Sequence, residues 1–397
     1  MRVLVGWEDP AEAETIDLCL NVEDTVATVT TDVDQFRHLV ESTRVDAILL
    51  SLDFPTKDDS FELFRQLRSE EPNRPISGAW RAGEINQAAK FISEGMHSYV
   101  IRDGQGEFVF LLAATIEAVE TAILAKRAEQ LADRLREEVE SVRRLQESVI
   151  PQDIPTPDGY EIVARYEPSQ IRVVGGQPVV MAGGDYYDVF GMGDDTAILI
   201  VGDAAGHGVK ACMSIMTMHT LIGMIRTHSY RETSEFVGEV NRRLCGNDVV
   251  QDQGGFITLL YSTLDWKEHR LQWTSAGHPM PVLHNLETNE IKPMADEDAG
   301  GLPLAISAEW EYDTCEAVIP PNSRLLLYTD GLEEAFPEGS DDEADQFGVE
   351  GIYQCLRECA KLSANETLEE LFARSSAATK GSGRHDDTSV MIIDRLK

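Results

Sequence analysis

ILIVGDAAGHG, residues 198–208, runs four apolar residues into Gly202 and Asp203, then into a turn built on Gly206 and Gly208. An apolar run of this length bounded by glycine reads as a buried strand, and the stretch from about Val209 reads as a helix. Strand, aspartate, glycine turn and helix in that order deliver a carboxylate to a strand end. The glycines let backbone approach a ligand there, and the helix N-terminus adds positive potential. Three further stretches repeat the theme: MAGGDYYDVF (181–190) with Asp185 and Asp188, LLLYTDGLEEA (325–335) with Asp330, and GRHDDTSVMII (383–393) with Asp386 and Asp387. Each is ordinary alone, since Asp-Gly makes turns and Asp caps helices. Four together at strand ends point to an all-oxygen site for a hard divalent cation. Mg2+ and Mn2+ take carboxylate, carbonyl and water oxygens rather than thiolate or imidazole.

Around these pieces lie strand-like runs such as YEIVARYEP, GGFITLLYSTLD, RLQWTSAGHPMPVLHN and WEYDTCEAVI, several separated by turns rather than helices. Helical patterns cover GVKACMSIMTMHTLIGMIRTH, TSEFVGEVNRRLCG, GVEGIYQCLRECAKLS and TLEELFARSSAATK. Many strands with a few clustered helices predict an α+β domain of antiparallel sheets flanked by helices over 151–397. The stretch RVVGGQPVVMA (172–182), with Gly175 and Gly176, reads as a hairpin near the site. PEGSDDEADQF (337–347) reads as an acidic flap, solvated or substrate-excluding.

With GGDYYDV, VGDAAGHGVKACMSIM, FITLLYSTLD, SAGHPMPVL, GLPLAI, YTDGLEEA and HDDTSVMII in this order, the chain from about residue 145 onward resembles the PPM-type (type-2C) serine/threonine phosphatases, in their bacterial SpoIIE/RsbU-like branch. The resemblance implies a β-sandwich flanked by helices that holds two Mn2+ or Mg2+ ions and a bridging water. It places Asp185 and Asp203 beside both metals as the catalytic pair, with Asp203 bridging. Ala204 offers a backbone carbonyl where glycine is usual, and Asp330 and Asp386 complete the first metal's shell. Asp387 is an alternative or supporting carboxylate, and Asp188 orders the turn or holds a water. Two cations lower the pKa of a bridging water and clamp phosphoryl oxygens, so hydroxide attacks phosphorus in line. His207 and His278 sit in glycine-adjacent turns. His207 reads as a turn-stabilising residue, with a role as acid for the leaving alkoxide the alternative. No phosphate-gripping Arg is evident.

Toward the N-terminus the grammar changes. RVLVGW, DAILLSL, RPISGAW and SYVIRD read as buried parallel strands, with FRHLVES, SFELFRQLRSEE and EINQAAKFISEG as the helices between them. This βα alternation predicts an α/β, flavodoxin-like sheet over 1–115. It resembles a response-regulator receiver domain with its chemistry removed. Ser51 of SLDFP stands at the phosphoacceptor position, with Asp53 two residues on. The acidic pair after the first strand is displaced to Glu8 and Asp9. Trp80 stands near where a hydroxyl residue is expected, and Arg102 replaces the late Lys. A pseudo-receiver is the expectation, with an unrelated flavodoxin-like module, or phosphorylation at Asp53, as alternatives.

Between the two lies 116–150, free of Gly and Pro, with Ala128, Leu135, Val142 and Val149 seven apart and a second row through Leu124, Leu131 and Leu145 broken by Glu138. These rows are a and d positions of a short coiled coil, predicting a homodimer; one long helix packed on its own domains is the alternative. Pro151, Pro155 and Pro157 end the helix.

Across the 397 residues, 70 Asp+Glu against 34 Lys+Arg give a formal charge of -36. Such a surface repels phosphate backbones and anionic lipid, so neither nucleic acid nor a membrane surface is the expected partner. Six cysteines without CxxC spacing, and no signal-peptide pattern or bilayer-length apolar stretch, fit a cytoplasmic protein. The resemblance implies a phosphorylated regulatory partner of the anti-sigma-factor antagonist type. A non-catalytic adaptor is the rival reading, against which the retained carboxylates argue.

Overall fold

Only Arg2 of RVLVG faces solvent, and this segment is β1 (Arg2–Gly6). Strands buried on both faces belong to parallel sheets covered by helices on both sides. α1 (Pro10–Leu20) and β2 (Val26–Thr30) follow. Neither is legible in the sequence, because the acidic α1 turns only Ala13, Ile16 and Leu20 inward and VATVT is short and half exposed. α2 (Val33–Ser42), β3 (Ala47–Ser51), α3 (Ser60–Glu70), β4 (Ile76–Arg81), α4 (Ile85–Ser93) and β5 (Ser98–Arg102) complete the alternation. All five strands are parallel, in the order β2-β1-β3-β4-β5. This is the flavodoxin-like doubly wound order, which opens a crevice beyond the strand C-termini where β1 and β3 part.

α5 (Phe108–Glu147) runs 40 residues. Its first turns bury Phe108, Val109, Leu112, Ile116 and Val119 with Val3, Val5, Ile16 and Val100. By length and composition α5 is apolar enough to cross a membrane, with an 18-residue window of mean hydropathy 1.9, which corrects the expectation that no such stretch exists. Glu117 and Glu120 interrupt that run without lowering its average enough. Farther along, Leu124, Leu131, Leu135 and Leu145 are 57–59% exposed. Val149, the last predicted a position, lies beyond the helix and packs against the apolar cluster of the C-terminal unit. The computed structural model describes residues 1–396 apart from 22–24, 104–105, 152, 173–177, 181–182, 227–229, 231, 252–253 and 338–344. It divides into two units, Met1–Asp133 and Arg134–Lys397.

The second unit continues with β6 (Tyr160–Glu167), β7 (Gln170–Arg172), β8 (Pro178–Val180), β9 (Asp185–Met192), β10 (Thr196–Ala204), α6 (Val209–Ile225), α7 (Thr233–Leu244) and the single-turn α8 (Asp248–Gln251). Next come β11 (Ile257–Asp265), β12 (Arg270–Ala276), β13 (Val282–Asn285), β14 (Ile291–Pro293), β15 (Cys315–Val318), β16 (Ser323–Tyr328), α9 (Gly348–Glu358), α10 (Ala364–Ala378) and β17 (Thr388–Arg395). Two antiparallel five-stranded sheets result, β15-β12-β11-β10-β9 and β14-β13-β16-β17-β6. The run RLQWTSAGHPMPVLHN is not one strand but β12 and β13, in different sheets. Gly277 makes the switch at φ +69, where a Cβ would meet Pro303 at 2.6 Å. β7 and β8 pair as the predicted hairpin; Gly175, Gly176 and most of the acidic 337–347 loop lie outside the described residues.

Side chains alternate along a strand with period two, and that period arranges the layers. Ala197, Leu199 and Val201 of β10 meet Leu325 and Leu327 of β16 and Met391 and Ile393 of β17 between the sheets. Ile198 and Ile200 turn outward to α6 and α7, while Leu326 and Ile392 turn outward to α9 and α10. The unit is a helix–sheet–sheet–helix sandwich.

Candidate metal centre and active site

The same parity that fills the sandwich puts acid at its end. Continuing the inward positions of β10 gives Asp203; running β9 back gives Asp185; β16 gives Thr329, and β17 leads back to Asp387. Because β9 and β10 are antiparallel, Asp185 and Asp203 are register partners. β16 ends and β17 begins at the same end of the second sheet, through the Tyr328–Val390 pair. Two strand pairs from two sheets thus deliver their acidic termini to one place.

Asp185 is 1% exposed, and its Oδ2 accepts the Thr329 hydroxyl at 2.7 Å. Burial, then the charges of Asp203 and Asp387, pushes its pKa well above the ordinary carboxylate range. Asp203 is pushed up to about 9 by burial and by Asp330, Asp386 and Asp387. Its carboxyl hydrogen-bonds that of Asp185, so in the absence of a cation this pair holds a proton. Asp386 rises to about 7, again chiefly by burial, with Asp387, Asp330 and Glu334 adding like charge. Burial also raises Asp330, whose Oδ1 is buried without a hydrogen-bond partner.

Asp387 has a different task from the other four. Fully buried, it accepts the backbone N–H groups of Ser169 at 2.7 Å and Gly184 at 2.6 Å, and the Tyr166 hydroxyl at 3.4 Å. It pins the β7 approach and the Gly183–Gly184 loop to the start of β17. A Cβ on Gly183 would lie 2.1 Å from the Asp387 carboxylate, and one on Gly184 2.6 Å from the Ala204 carbonyl and 2.9 Å from Asp203 Oδ1. Glycine is required at both, and the second shows a backbone oxygen and a carboxylate oxygen side by side.

Gln146 is a further residue of the site. It sits in the last turn of α5, 1% exposed, with its Nε2 donating to the Asp185 carbonyl at 3.1 Å and its Oε1 accepting the Gly183 N–H at 2.7 Å. One amide thus brackets the loop that carries Asp185. Nothing in a charged helical sequence marks it. Thr329 also went unread, although it directly precedes Asp330.

Asp188 lies within β9 rather than in a turn. It accepts the Tyr186 hydroxyl at 3.0 Å on the α6 side, where that hydroxyl also meets His219, away from the carboxylates. His207 is exposed between Gly206 and Gly208, which take φ +84 and +85. His278 is buried, its Nδ1 2.9 Å from Thr258 Oγ1, and burial lowers its pKa to about 3. A neutral, inward-held imidazole of this kind braces its turn.

The donor set fits a hard cation. It is all oxygen, it concentrates negative charge that no described cation offsets, and it leaves Asp330 Oδ1 orphaned. Among the described residues no three acidic, His or Cys side chains already close around one point. Mg2+ needs no such cage, since it keeps several waters and is held through one or two carboxylates.

A sandwich of this architecture with carboxylates converging at one end defines a PP2C-type phosphatase fold. The family model for stage II sporulation protein E (SpoIIE) matches residues 193–396, more than half of the chain, and the chain belongs to this family of phosphatases. Among relatives, it is 23% identical over 270 residues to phosphoserine phosphatase RsbU of Bacillus subtilis, covering 67% of this chain and 72% of that one. It is 23% identical over 340 residues to protein IcfG of Synechocystis sp., covering 79% of this chain but spanning half of that protein's length. The SiaA PP2C domain of Pseudomonas aeruginosa superimposes with a TM-score of 0.53 at 16% identity, over 67% of this chain and 99% of that domain, a likeness of fold.

Proposed function

We propose that this chain is a metal-dependent protein serine/threonine phosphatase whose substrate is a phosphorylated regulatory protein of the anti-sigma-factor antagonist type. The observation that carries the reading is the end-of-sandwich cluster of Asp185, Asp203, Asp330 and Asp386, all raised in pKa by burial and, for Asp185, Asp203 and Asp386, by one another. A buried acidic cluster without a counter-charge is costly unless a cation arrives. In this reading Asp185, Asp203, Asp330, Asp386 and the Ala204 carbonyl hold two Mn2+ or Mg2+ ions. Bound there, the ions supply an acidified water and charge neutralisation for the phosphoryl group. The chain's own residues set the geometry. Thr329 fixes the Asp185 rotamer, Asp387 anchors the glycine loop, and Gln146 brackets it. The phosphoserine phosphatase name of RsbU supports the substrate class.

In the same reading the N-terminal unit is a pseudo-receiver. Its strand order supports this, as does Ser51 at the end of β3, where Arg102 donates to the Ser51 hydroxyl. The exposed leucines of α5 support a homodimer through 116–150. Its six free cysteines suit a reducing cytoplasm. Removing a phosphate strips about two negative charges from the substrate and switches its choice of partner. Regulation passes along α5, so inserting two residues, which rotates the helix by about 200°, should alter control of turnover. The test of the enzyme reading is hydrolysis of p-nitrophenyl phosphate with added Mn2+. No turnover, together with full partner function in Asp203→Ala, would sink it in favour of a non-catalytic adaptor.

A further inference from the structure

A cleft of about 630 Å³ opens beside the carboxylate site and shares Asp330 with it. Its charged lining among the described residues is all acidic: Asp296, Asp330, Glu333 and Glu334. Glu333 is held in place by the Tyr328 hydroxyl at 3.2 Å. Asp330 adds like charge to Glu334, whose pKa is raised chiefly by burial and then by that charge. Met280, Val349 and Tyr353 supply apolar and aromatic wall beside these carboxylates. A second feature is independent of the acid. The His278 side chain also lines the cleft, is 96% buried, and leaves its Nε2 without a hydrogen-bond partner. It is neutral there, so it cannot serve as the missing counter-charge.

Such a cleft matches a long cationic side chain. Lys and Arg lay their methylene stems along apolar wall and keep the charged head among acceptors, and a tyrosine face adds cation–π attraction. A chain of formal charge -36 also repels a phosphorylated protein at long range, and a basic segment in the substrate offsets that repulsion. We propose that this cleft reads a Lys or Arg lying within a few residues of the phosphorylated serine or threonine, so that basic-flanked phosphosites are the preferred substrates. The inference rests on the phosphatase reading above. An extended peptide advances about 3.3 Å per residue, so a neighbour two or three positions from a phosphorylated residue at the carboxylates lies about 7–10 Å farther along the chain.

The test uses the full chain with Mn2+, p-nitrophenyl phosphate, and matched phosphopeptides that differ only in Arg, Ala or Glu at each flanking position. The expected kcat/KM is about tenfold higher for the best Arg peptide than for its Ala match, the scale of one or two exposed ion pairs, and lowest for Glu. The variant Asp296→Asn, at an exposed position outside the carboxylate site, should weaken the Arg preference while leaving p-nitrophenyl phosphate turnover unchanged. The charge reversal Asp296→Lys should lower kcat/KM for the Arg peptides below that of their Ala matches. Equal kcat/KM across the peptides, or a preference untouched by Asp296→Asn, overturns the inference. So does a shift in the Mn2+ requirement for p-nitrophenyl phosphate in Asp296→Asn, which would assign that carboxylate to a metal. Wild-type chain that fails to hydrolyse p-nitrophenyl phosphate at all would overturn the phosphatase reading itself.

Discussion

Two crevices in this chain are built from acid at strand ends, and they are balanced in opposite ways. In the N-terminal unit, Arg102 of β5 is buried where β1 and β3 part. It donates to Glu8 at 2.6 Å, to Glu12 and to Ser51 Oγ at 2.9 Å, and it lies 4.7 Å over the Trp7 ring. Asp9, the other member of the displaced acidic pair, caps α1 instead. This crevice carries its own cation. In the C-terminal unit Asp185, Asp203, Asp330, Asp386 and Asp387 converge with no described side-chain cation to balance them; burial raises all five pKa values, and like charge adds to the rise at Asp185, Asp203 and Asp386. The difference teaches where each crevice stands chemically. A permanent guanidinium closes a site to exchangeable cations, and an uncompensated carboxylate cluster demands one.

The sharpest break of this comparison is Asp203→Asn. It should lower Mn2+-dependent turnover by about 10³-fold, equivalent to several kcal/mol of transition-state stabilisation. The same change should raise the melting temperature of the metal-free protein at alkaline pH, because one member of a repelling cluster is gone. Parallel kinetics and thermal melts in EDTA check both, and a variant that lost activity without gaining metal-free stability would contradict the electrostatic account.

Next in size is the pH dependence of the metal-free fold. The folded carboxyls bind protons that the unfolded chain gives up near pH 4. Their stabilising contribution is therefore fully present at low pH. It is lost as pH rises through about 7 for Asp386 and about 9 for Asp203. Metal-free protein should lose on the order of 3 kcal/mol, or about 8 °C in melting temperature, across that window. Added Mn2+ should oppose the loss more strongly as pH rises, since it binds the deprotonated forms. A melting temperature in EDTA that climbs from pH 6 to 9 would reverse the sign and defeat the reading.

Much of this was legible because acid at strand ends is a local pattern. Asp185, Asp203 and Asp330 could be found from apolar runs that stop at an aspartate, and period two then aims two of them inward. What escaped was non-local or weakly patterned. The role of Asp387 depends on Ser169 and Gly184, which the fold brings to it across more than 200 residues. Gln146 resembles any polar position of a charged helix until β9 arrives. α1 and β2 carry too few apolar residues to announce themselves, and Val149 keeps the heptad spacing although the helix has already ended. Arg102 reads as a substituted lysine; that it fills the crevice follows only from the fold, which brings Glu12 in the first turn of α1 to it.

Removing that guanidinium tests the other side of the comparison. Arg102→Ala leaves Glu8, Glu12 and Ser51 around a vacated pocket. The two carboxylates are partly solvated, so the cost should be about 2 kcal/mol, below that of a fully buried pair. The informative readout is metal dependence. Hydrogen exchange of β1 and β3 should show Mg2+ protecting the variant and not the wild type. Protection in both, or in neither, would mean that charge balance is not what separates the two crevices.

The smallest effect concerns how the carboxylates of the C-terminal crevice are positioned. Gln146→Ala orphans the Gly183 N–H and the Asp185 carbonyl in a buried setting, which costs about 1–2 kcal/mol. Stability alone would not distinguish a brace from a positioning residue, so the split between kcat and Mn2+ affinity decides. Supporting partners of metal ligands are worth about 10- to 100-fold in metal affinity, and Gln146→Ala should fall near the lower end, because Thr329 and Asp387 still hold the loop. Gln146→Glu keeps the acceptor for Gly183 but loses the donor to Asp185 and adds a like charge beside it. It should therefore be worse than alanine for Mn2+ affinity even where it melts higher. If glutamate instead binds Mn2+ as tightly as wild type, the amide's grip on the Asp185 carbonyl has no bearing on the site, and the last turn of α5 is merely packed there.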